Sequence, residues 1–513
     1  MAEDWTSSSV DLHLELGPAG GRRDALERAL RDAIRCGRLA PGAVVPSTRA
    51  LAAQLGVSRG TVTAAYDQLI AEGYLTARQG AATRVAEIRS AETRSEEIRS
   101  AETRSEEIRS AETRSAEIRS AETGQPAPGR PAPAPAPPGG PVWAGSWATA
   151  GTVAHDLRPG RPDLGTFPAS AWLRSTRRVL TAAGPEAHAL SDPRGRPELR
   201  DALAGYLRRV RGVEADPGRI VITSGYAQGL GLLARVLGDA GTSAVAMEEP
   251  GHPYHRMIVD RAGLRVVPLP VDGLGARTDL PVDAGAAVLT PAHQYPSGAT
   301  LAPERRRAAA AWARDTGGLV VEDDYDGEFR YDRQPVGSLQ GTAPGRVVYA
   351  GTASKTLAPA LRLAWLVLPA ALVEPVAEAK RLADAHTPSL GQLVLADLIS
   401  GHAYDRHVRA ARLRYRRRRD ELVAALRRRA PHVRVLGVAA GLHALVLLPD
   451  DGPGETEIMA RAAARGLALQ PLGEFWQRPD GRPPGLVVGY STPLRSGYPA
   501  ALEALCSVLR YKA

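Results

Sequence analysis

Lysine is almost missing from this 513-residue chain: of its 65 Lys and Arg residues only Lys355, Lys380 and Lys512 are lysines. Cysteine is nearly as rare. Cys36 and Cys506 lie far apart with no CxxC pair. That excludes a disulfide framework and a cysteine zinc site, and fits a reducing compartment. His293, His402, His407 and His443 lack metal-ligand spacing and read as structural, so no metal is expected. No apolar run approaches the ~18 residues of a membrane span. The opening MAEDWTSSS is acidic and has no apolar core, so no secretory signal is expected and the location reads as cytoplasmic. What is present suffices for a folded protein: 44% hydrophobic residues and a length that implies two to four domains. The net charge of +9 permits a nucleic-acid partner without demonstrating one.

Of the lysines, Lys380 lies in a charged helical pattern and Lys512 next to the last residue, whereas Lys355 sits among small and apolar residues in VVYAGTASKTLAPALRLAW, 347–365. Desolvation there lowers an amine's pKa and makes it a nucleophile toward an aldehyde. Thr352 and Ser354 add hydroxyls, and Arg362 adds a guanidinium fork for a phosphate. A lysine capping a strand end is the plainer alternative. Upstream, the apolar run Leu319-Val320-Val321 ends in Glu322-Asp323-Asp324-Tyr325. An acid followed two residues later by a tyrosine, then Ser-Lys and an arginine, is more specific than either part. It resembles the fold-type I aminotransferases. The wording EDDYDGEFRYD (322–332) and HQYPSG (293–298) resembles the aminotransferase-like domain of MocR-type regulators in the GntR family.

That resemblance implies pyridoxal 5'-phosphate (PLP) as cofactor, with Lys355 forming its Schiff base. It implies Asp323 on the pyridine nitrogen, which must stay protonated for PLP to act as an electron sink. Tyr325 then bonds the ring 3'-oxygen. Strand Ile220–Thr223 runs into Ser224-Gly225-Tyr226-Ala227 and an apolar helix, whose backbone N–H groups suit a phosphate. Gly225, Tyr226, Ala227, Thr352, Ser354 and Arg362 are therefore the expected phosphate cup. In EEPGHPYHR (248–256) the ring stacking on PLP is His252 or Tyr254. Where aminotransferases carry Asn-Pro-x-Gly, this chain has Tyr295-Pro296-Ser297-Gly298, with Gln294 beside it. Leu486 to Tyr490 lacks the arginine that clamps a substrate α-carboxylate in aminotransferases, and Arg495 does not match in position.

The first eighty-five residues carry a second pattern. Leu26, Ala29, Leu30, Ala33 and Ile34 mark an amphipathic helix over 22–36. Pro46-Ser47 opens a second helix, Gly56 makes a turn, and Ser58 caps a third to about Glu72. Val62, Ala65, Tyr66 and Leu69 form its apolar stripe. Residues 74–76 and 83–85 can pair as a wing. Two helices around a tight glycine turn suggest a helix-turn-helix. The string from Gly37 to Gly80 resembles the GntR-type winged helix, which implies DNA contacts by Arg49, Ser58, Arg59, Thr61 and Thr63 and by the wing near Arg78 and Gly80. Residues 1–85 hold ten arginines and nine acids, so contact rests on the local cluster Arg49, Arg59, Arg78 and Arg84.

From Ala86 a five-residue unit repeats as AEIRS, AETRS and EEIRS, followed by Pro/Ala/Gly-rich 124–141. Five residues advance a helical wheel by ~140°, so the isoleucines make no stripe. A solvated, semi-rigid spacer is expected rather than a coiled coil. Residues 406–430 hold eleven arginines and two acids, either a second DNA surface or a solvated helix face.

The expected architecture is an N-terminal winged helix-turn-helix (10–85), a low-complexity linker (86–154) and an α/β fold-type I PLP domain (155–513). In the last, a large domain spans about 190–384. A small one spans about 385–513 and takes in the arm 155–185. The resemblance implies a homodimeric regulator of double-stranded operator DNA. PLP, or PLP plus an amine or amino acid, is the effector, and vitamin B6 genes are the specific target. The rival is a working aminotransferase, to which the missing arginine is the counter-indication.

Overall fold

Leu26, Leu30, Val62 and Leu69 have no exposed surface and form the centre of a small N-terminal core. In this computed structural model the described residues are 22–35, 38–77, 82–86, 153–280, 282–331, 336–477 and 481–510. The repeat and the Pro/Ala-rich stretch of the linker, Cys36, and the wing tip with Arg78 and Gly80 lie outside them. Helices Arg22–Arg35, Thr48–Leu55 and Arg59–Ala71 pack around that core. Ser47 and Ser58 cap the second and third, accepting from Ala50 N (3.2 Å) and Thr61 N (3.1 Å). Gly56 makes the turn between them at φ 60°, a left-handed value that disfavours a side chain. The wing strands β1 (Leu75–Thr76) and β2 (Arg84–Val85) pair antiparallel.

This head sits on the body. The Tyr74 phenol donates to Gly341 O, and a Cβ on Gly337 would stand 2.5 Å from the Glu72 carboxyl. Arg31 holds Glu72 with two bonds, Nε to Oε2 at 2.6 Å and Nη2 to Oε1 at 2.7 Å.

The arm strand β3 (His155–Asp156) crosses to the far end of the body, where it runs parallel to a strand near residue 467. Between lie β4 (Ile220–Thr223), β5 (Ala244–Glu249), β6 (Arg265–Asp272), β7 (Gly275–Ala276), β8 (Ala286–Leu289), β9 (Leu319–Asp323), β10 (Val347–Thr352) and β11 (Ala364–Val367). They form one sheet in the order β4-β11-β10-β9-β8-β5-β6-β7. Strands β6, β5, β8, β9 and β10 are mutually parallel, and β11 and β7 are antiparallel to their neighbours. β4, β5, β8, β9, β10 and β11 are buried along their whole length, so they read as apolar runs without alternation. Helix Ser389–Ser400, on the C-terminal side of the boundary expected near 385, packs on helices Pro197–Arg211 and Ala169–Ala182 of this layer.

The second core gathers from Ala411 onward. Its sheet is antiparallel: β12 (Arg434–Leu436), β13 (His443–Leu447), β16 (Gly485–Gly489) and β15 (Gln470–Pro471), with β14 (Leu467–Ala468) pairing β3. The long helix Ala403–Arg429 joins the two cores. Its arginine run is partly spent inside the fold. Arg418 donates to Asp163 (2.8 Å), Ser491 O (3.1 Å) and Pro493 O (2.9 Å), while Arg409, Arg416 and Arg417 stay exposed. Among the described residues no helix is long and apolar enough to cross a membrane.

Candidate functional site

The carboxyl ends of β9 and β10 and the start of helix Tyr226–Asp239 open into one cavity of about 360 Å³. A site at strand carboxyl ends is where an open α/β sheet is expected to bind ligand. Lys355 lies just beyond β10, and its Nζ donates to Gly160 O at 2.5 Å. Burial lowers its pKa, against the opposing pull of Asp323 and Asp326, which favours the neutral, nucleophilic amine. Lys380, in the charged helix Ala370–Asp384, is buried as well. Its ammonium is paired with Asp384 at 2.7 Å, so burial alone does not mark the reactive lysine.

Asp323 ends β9 with 5% exposure. Burial holds it well above the usual carboxylate range, with Lys355 pulling the other way. His255 Nδ1 stands 3.9 Å from its carboxylate. A protonated ring nitrogen would supply the close cation this carboxylate lacks. Tyr325 follows on the next loop, its phenol 3.0 Å from His293 Nδ1.

Gly225 precedes the helix at φ 93°, and Tyr226 and Ala227 begin it. Arg362, itself left-handed at φ 52°, reaches across and donates from Nη2 to Ser224 O at 2.5 Å. Ser354 N and the Thr352 hydroxyl are 3.1 Å apart, and that hydroxyl also donates to Ser354 Oγ at 3.0 Å. Five of the six expected cup residues line the cavity, and the sixth, Gly225, lies against the Arg362 guanidinium.

Of the two alternatives for the ring partner, His252 lies within a stack of rings lining the cavity. Its imidazole stacks on His255 at 4.2 Å and 15°, and on Tyr295 at 5.4 Å and 23°. Burial, with His255 and Lys355 nearby, holds it well below the usual imidazole range and hence neutral. Tyr254 also lines the cavity, at its rim. Tyr295 lies in the wall, but Gln294 turns away: its amide donates to Pro250 O at 2.9 Å and to Glu248 at 3.2 Å. Arg495 is exposed and β16 brings no arginine to the cavity.

Several lining groups have no counterpart in the sequence reading. Arg158 and Arg161 enter from the arm, both paired with Asp156. Glu248, pushed up to about 7 by burial, closes the back wall and accepts from Thr290 N at 3.1 Å. His255 lies one helical turn from His252, a spacing visible in HPYH that went unused. His293, Asp326 and His443 come together with ligand atoms within 4.8 Å, although nothing in their spacing suggested it. Taken together, a buried amine, a buried carboxyl without a close cation, a guanidinium over a helix start and a flat imidazole fit PLP.

On the head, Arg49, Arg59 and Thr63 are exposed, Arg59 opening the third helix. The Ser58 and Thr61 hydroxyls are 2.8 Å apart, so both are partly engaged in the cap. Arg84 bends back to donate to Gly42 O at 3.0 Å.

The architecture and the cavity define a class: a helix-turn-helix DNA-binding head carried on an aminotransferase-type body. The family "Bacterial regulatory proteins, gntR family" matches residues 22–85, and "Aminotransferase class I and II" matches 156–482. The chain is 32% identical to the pyridoxine biosynthesis transcriptional regulator PdxR of Corynebacterium glutamicum, over 91% of each protein. It is also 32% identical to the probable rhizopine catabolism regulatory protein MocR of Rhizobium meliloti, over 91% of this chain and 89% of that one. Among solved structures it is similar to an archaeal alanine:glyoxylate aminotransferase (TM-score 0.64, 26% identity, 69% of this chain and 90% of that one). A second is the α-aminoadipate aminotransferase LysN of Thermus thermophilus (TM-score 0.62, 26% identity, 69% and 91%). The chain belongs to the MocR-type transcriptional regulators of the GntR family.

Proposed function

We propose that this regulator holds PLP at Lys355 and that the bound cofactor sets its affinity for operator DNA. The observation that carries the reading is the buried Lys355 amine in one cavity with Asp323, Arg362 and the stacked His252. When bound, PLP supplies an aldehyde for amines and an electron-withdrawing ring. The solved LysN structure is described as a complex with N-(5'-phosphopyridoxyl)-L-leucine, which supports a phosphopyridoxyl group in this fold.

Sensing PLP itself, and hence control of vitamin B6 genes, is favoured by two observations. β16 brings no carboxylate-clamping arginine to the cavity, and PdxR is a relative over nearly the whole chain. Sensing an amine or amino acid through the cofactor is a second reading, favoured by Arg158 and Arg161 at the cavity mouth. The working unit in either case is a cytoplasmic homodimer presenting two heads to double-stranded DNA.

The test is a DNA-footprint titration on the gene's own upstream region, with apo protein, with PLP, and with PLP plus candidate amines. A PLP-dependent change in affinity without added amine supports the first reading. A change only with an amine supports the second. Steady-state transamination without any change in footprint would leave an enzyme.

A further inference from the structure

His293 sits where the two cores of the body meet. Its loop, 290–298, leaves β8 of the large sheet. On one side Nδ1 lies 2.9 Å from Asp326 Oδ2 and 3.0 Å from the Tyr325 phenol. On the other side Nε2 faces Gly437 O at 3.4 Å. The imidazole is 2% exposed and Asp326 1%. Gly437 and Gly441 belong to the segment of the second core that begins after β12, and both are pressed against this loop. A Cβ on Gly441 would stand 2.0 Å from His293 Cε1, and one on Gly298 would stand 2.2 Å from Gly437 Cα. Gly441 also accepts from the Tyr331 phenol at 2.5 Å, and its N–H donates to Phe329 O at 2.8 Å. The joint is therefore tightly packed on both faces.

The chemistry of the partners sets the roles. A carbonyl only accepts, so the Gly437 side calls for Nε2–H, while Nδ1 faces the Tyr325 phenol and the Asp326 carboxyl together. The Tyr325 phenol also hydrogen-bonds the Asp326 carboxyl, so phenol, carboxyl and Nδ1 form one closed contact. The other titratable groups nearby are His443 on β13, its centroid 5.0 Å from that of His293, and Tyr295, which packs on Tyr325 and His443. His443 Nε2 is 3.2 Å from Pro296 O, and that carbonyl too calls for a donor. The three-residue cluster would suit a metal by residue type. Each neutral imidazole has one N–H and one lone pair, and the carbonyls of Gly437 and Pro296 take the Nε2–H of His293 and His443, so zinc content is read in the test below.

We propose that His293 is a positioning residue that holds Tyr325 through Nδ1 and ties it, through Nε2, to the 437–441 segment of the second core. This rests on the reading that the cavity binds PLP. It implies that ligand-driven movement of the second core is felt at the Tyr325 phenol, which the PLP reading assigns to the ring 3'-oxygen.

The test uses the full chain and two amide variants that divide the ring's functions. His293→Asn keeps a polar group near the place of Nδ1, and His293→Gln keeps one near the place of Nε2. Three properties are read: the pH midpoint of the visible cofactor band, PLP affinity, and hydrogen exchange of 437–441 with and without PLP. A melting curve checks folding. We expect PLP to slow exchange at 437–441 in the wild type only. His293→Gln is expected to shift the midpoint and weaken PLP on the order of tenfold, the size of one buried hydrogen-bond partner lost. His293→Asn should hold the midpoint but lose the exchange response. If the wild type shows no visible band, the PLP reading fails and takes this inference with it. If it shows the band and both variants match it in midpoint and exchange, only the inference fails. Zinc bound stoichiometrically to the wild type and lost in both variants would also overturn it.

Discussion

The guanidinium of Arg362 lies directly over Gly225, so close that a Cβ there would stand 2.5 Å from Nη2. Gly225 also has φ 93°, where side chains are disfavoured. The glycine thus makes room for the arginine expected to close the phosphate cup. Gly225→Ala should push Arg362 out and weaken PLP at least about tenfold, since a charge-assisted contact is worth ~1.5–3 kcal/mol. Fluorescence titration with PLP measures it. Unchanged affinity would mean that Arg362 does not bind the phosphate.

Lys355 makes the second prediction. Purified protein should carry a visible absorption band that borohydride removes, with cofactor mass added at Lys355. Its buried amine, with pKa lowered, is primed for that bond. Lys355→Ala should lose the band. If Lys355→Ala kept it, Lys380 would be the alternative, although its ammonium is tied to Asp384.

The organisation of this site was legible where chemistry is local in the chain. The Ser-Lys-x6-Arg run, the acid-x-Tyr pair and the serine caps each lie on one loop or helix end, so their spacing carries their geometry. His293, Asp326 and His443 were not legible, because three separate segments bring them together and no short spacing records it.

Arg59 opens the third helix of the head and is exposed. The N-terminal end of such a helix is where base contacts concentrate. Arg59→Ala should cost ~1–3 kcal/mol of specific DNA binding if the side chain reads a base. An equal loss on operator and random DNA would make it a phosphate contact. No loss in gel-shift titration would remove this helix end from the interface.

Glu328 is buried, and that burial, with Asp324 adding to it, pushes its pKa up to about 7. A free glutamate titrates near 4.5. The folded state therefore holds a proton that the unfolded state has already released, so stability falls as pH rises from about 4.5 to 7. Glu328→Gln removes that titration. Relative to wild type, the variant should gain stability between pH 5 and pH 7.5, by a few kcal/mol at the order-of-magnitude level. Denaturant unfolding at the two pH values measures it, and identical pH slopes would refute the assignment.

The last prediction joins cavity to head. Asp323 faces the cavity, and its neighbour Glu322 on β9 accepts from Leu339 N (2.7 Å) and Gln340 N (2.8 Å). The next residue, Gly341, accepts the Tyr74 phenol of the head. Gly337, at the start of the same loop, is the one pressed against Glu72. Loop 336–343 is thus shared by the strand that would carry the ring-nitrogen carboxylate and by the seat of the winged helix. A ligand that orders β9 acts on this seat, provided it binds the docked and released states differently. What PLP can change is whether each head is seated or free, and hence the spacing of the pair in a dimer. Two heads on one operator gain through effective concentration, which depends on that spacing. PLP should therefore alter affinity for a two-half-site operator much more than for a single half-site, measured at one salt concentration. Tyr74→Phe, which removes the bond to Gly341 O, should shrink the difference between apo and PLP-loaded protein on the two-site probe. Equal PLP effects on both probes would refute the spacing mechanism. An unchanged response in Tyr74→Phe would move the coupling away from this loop.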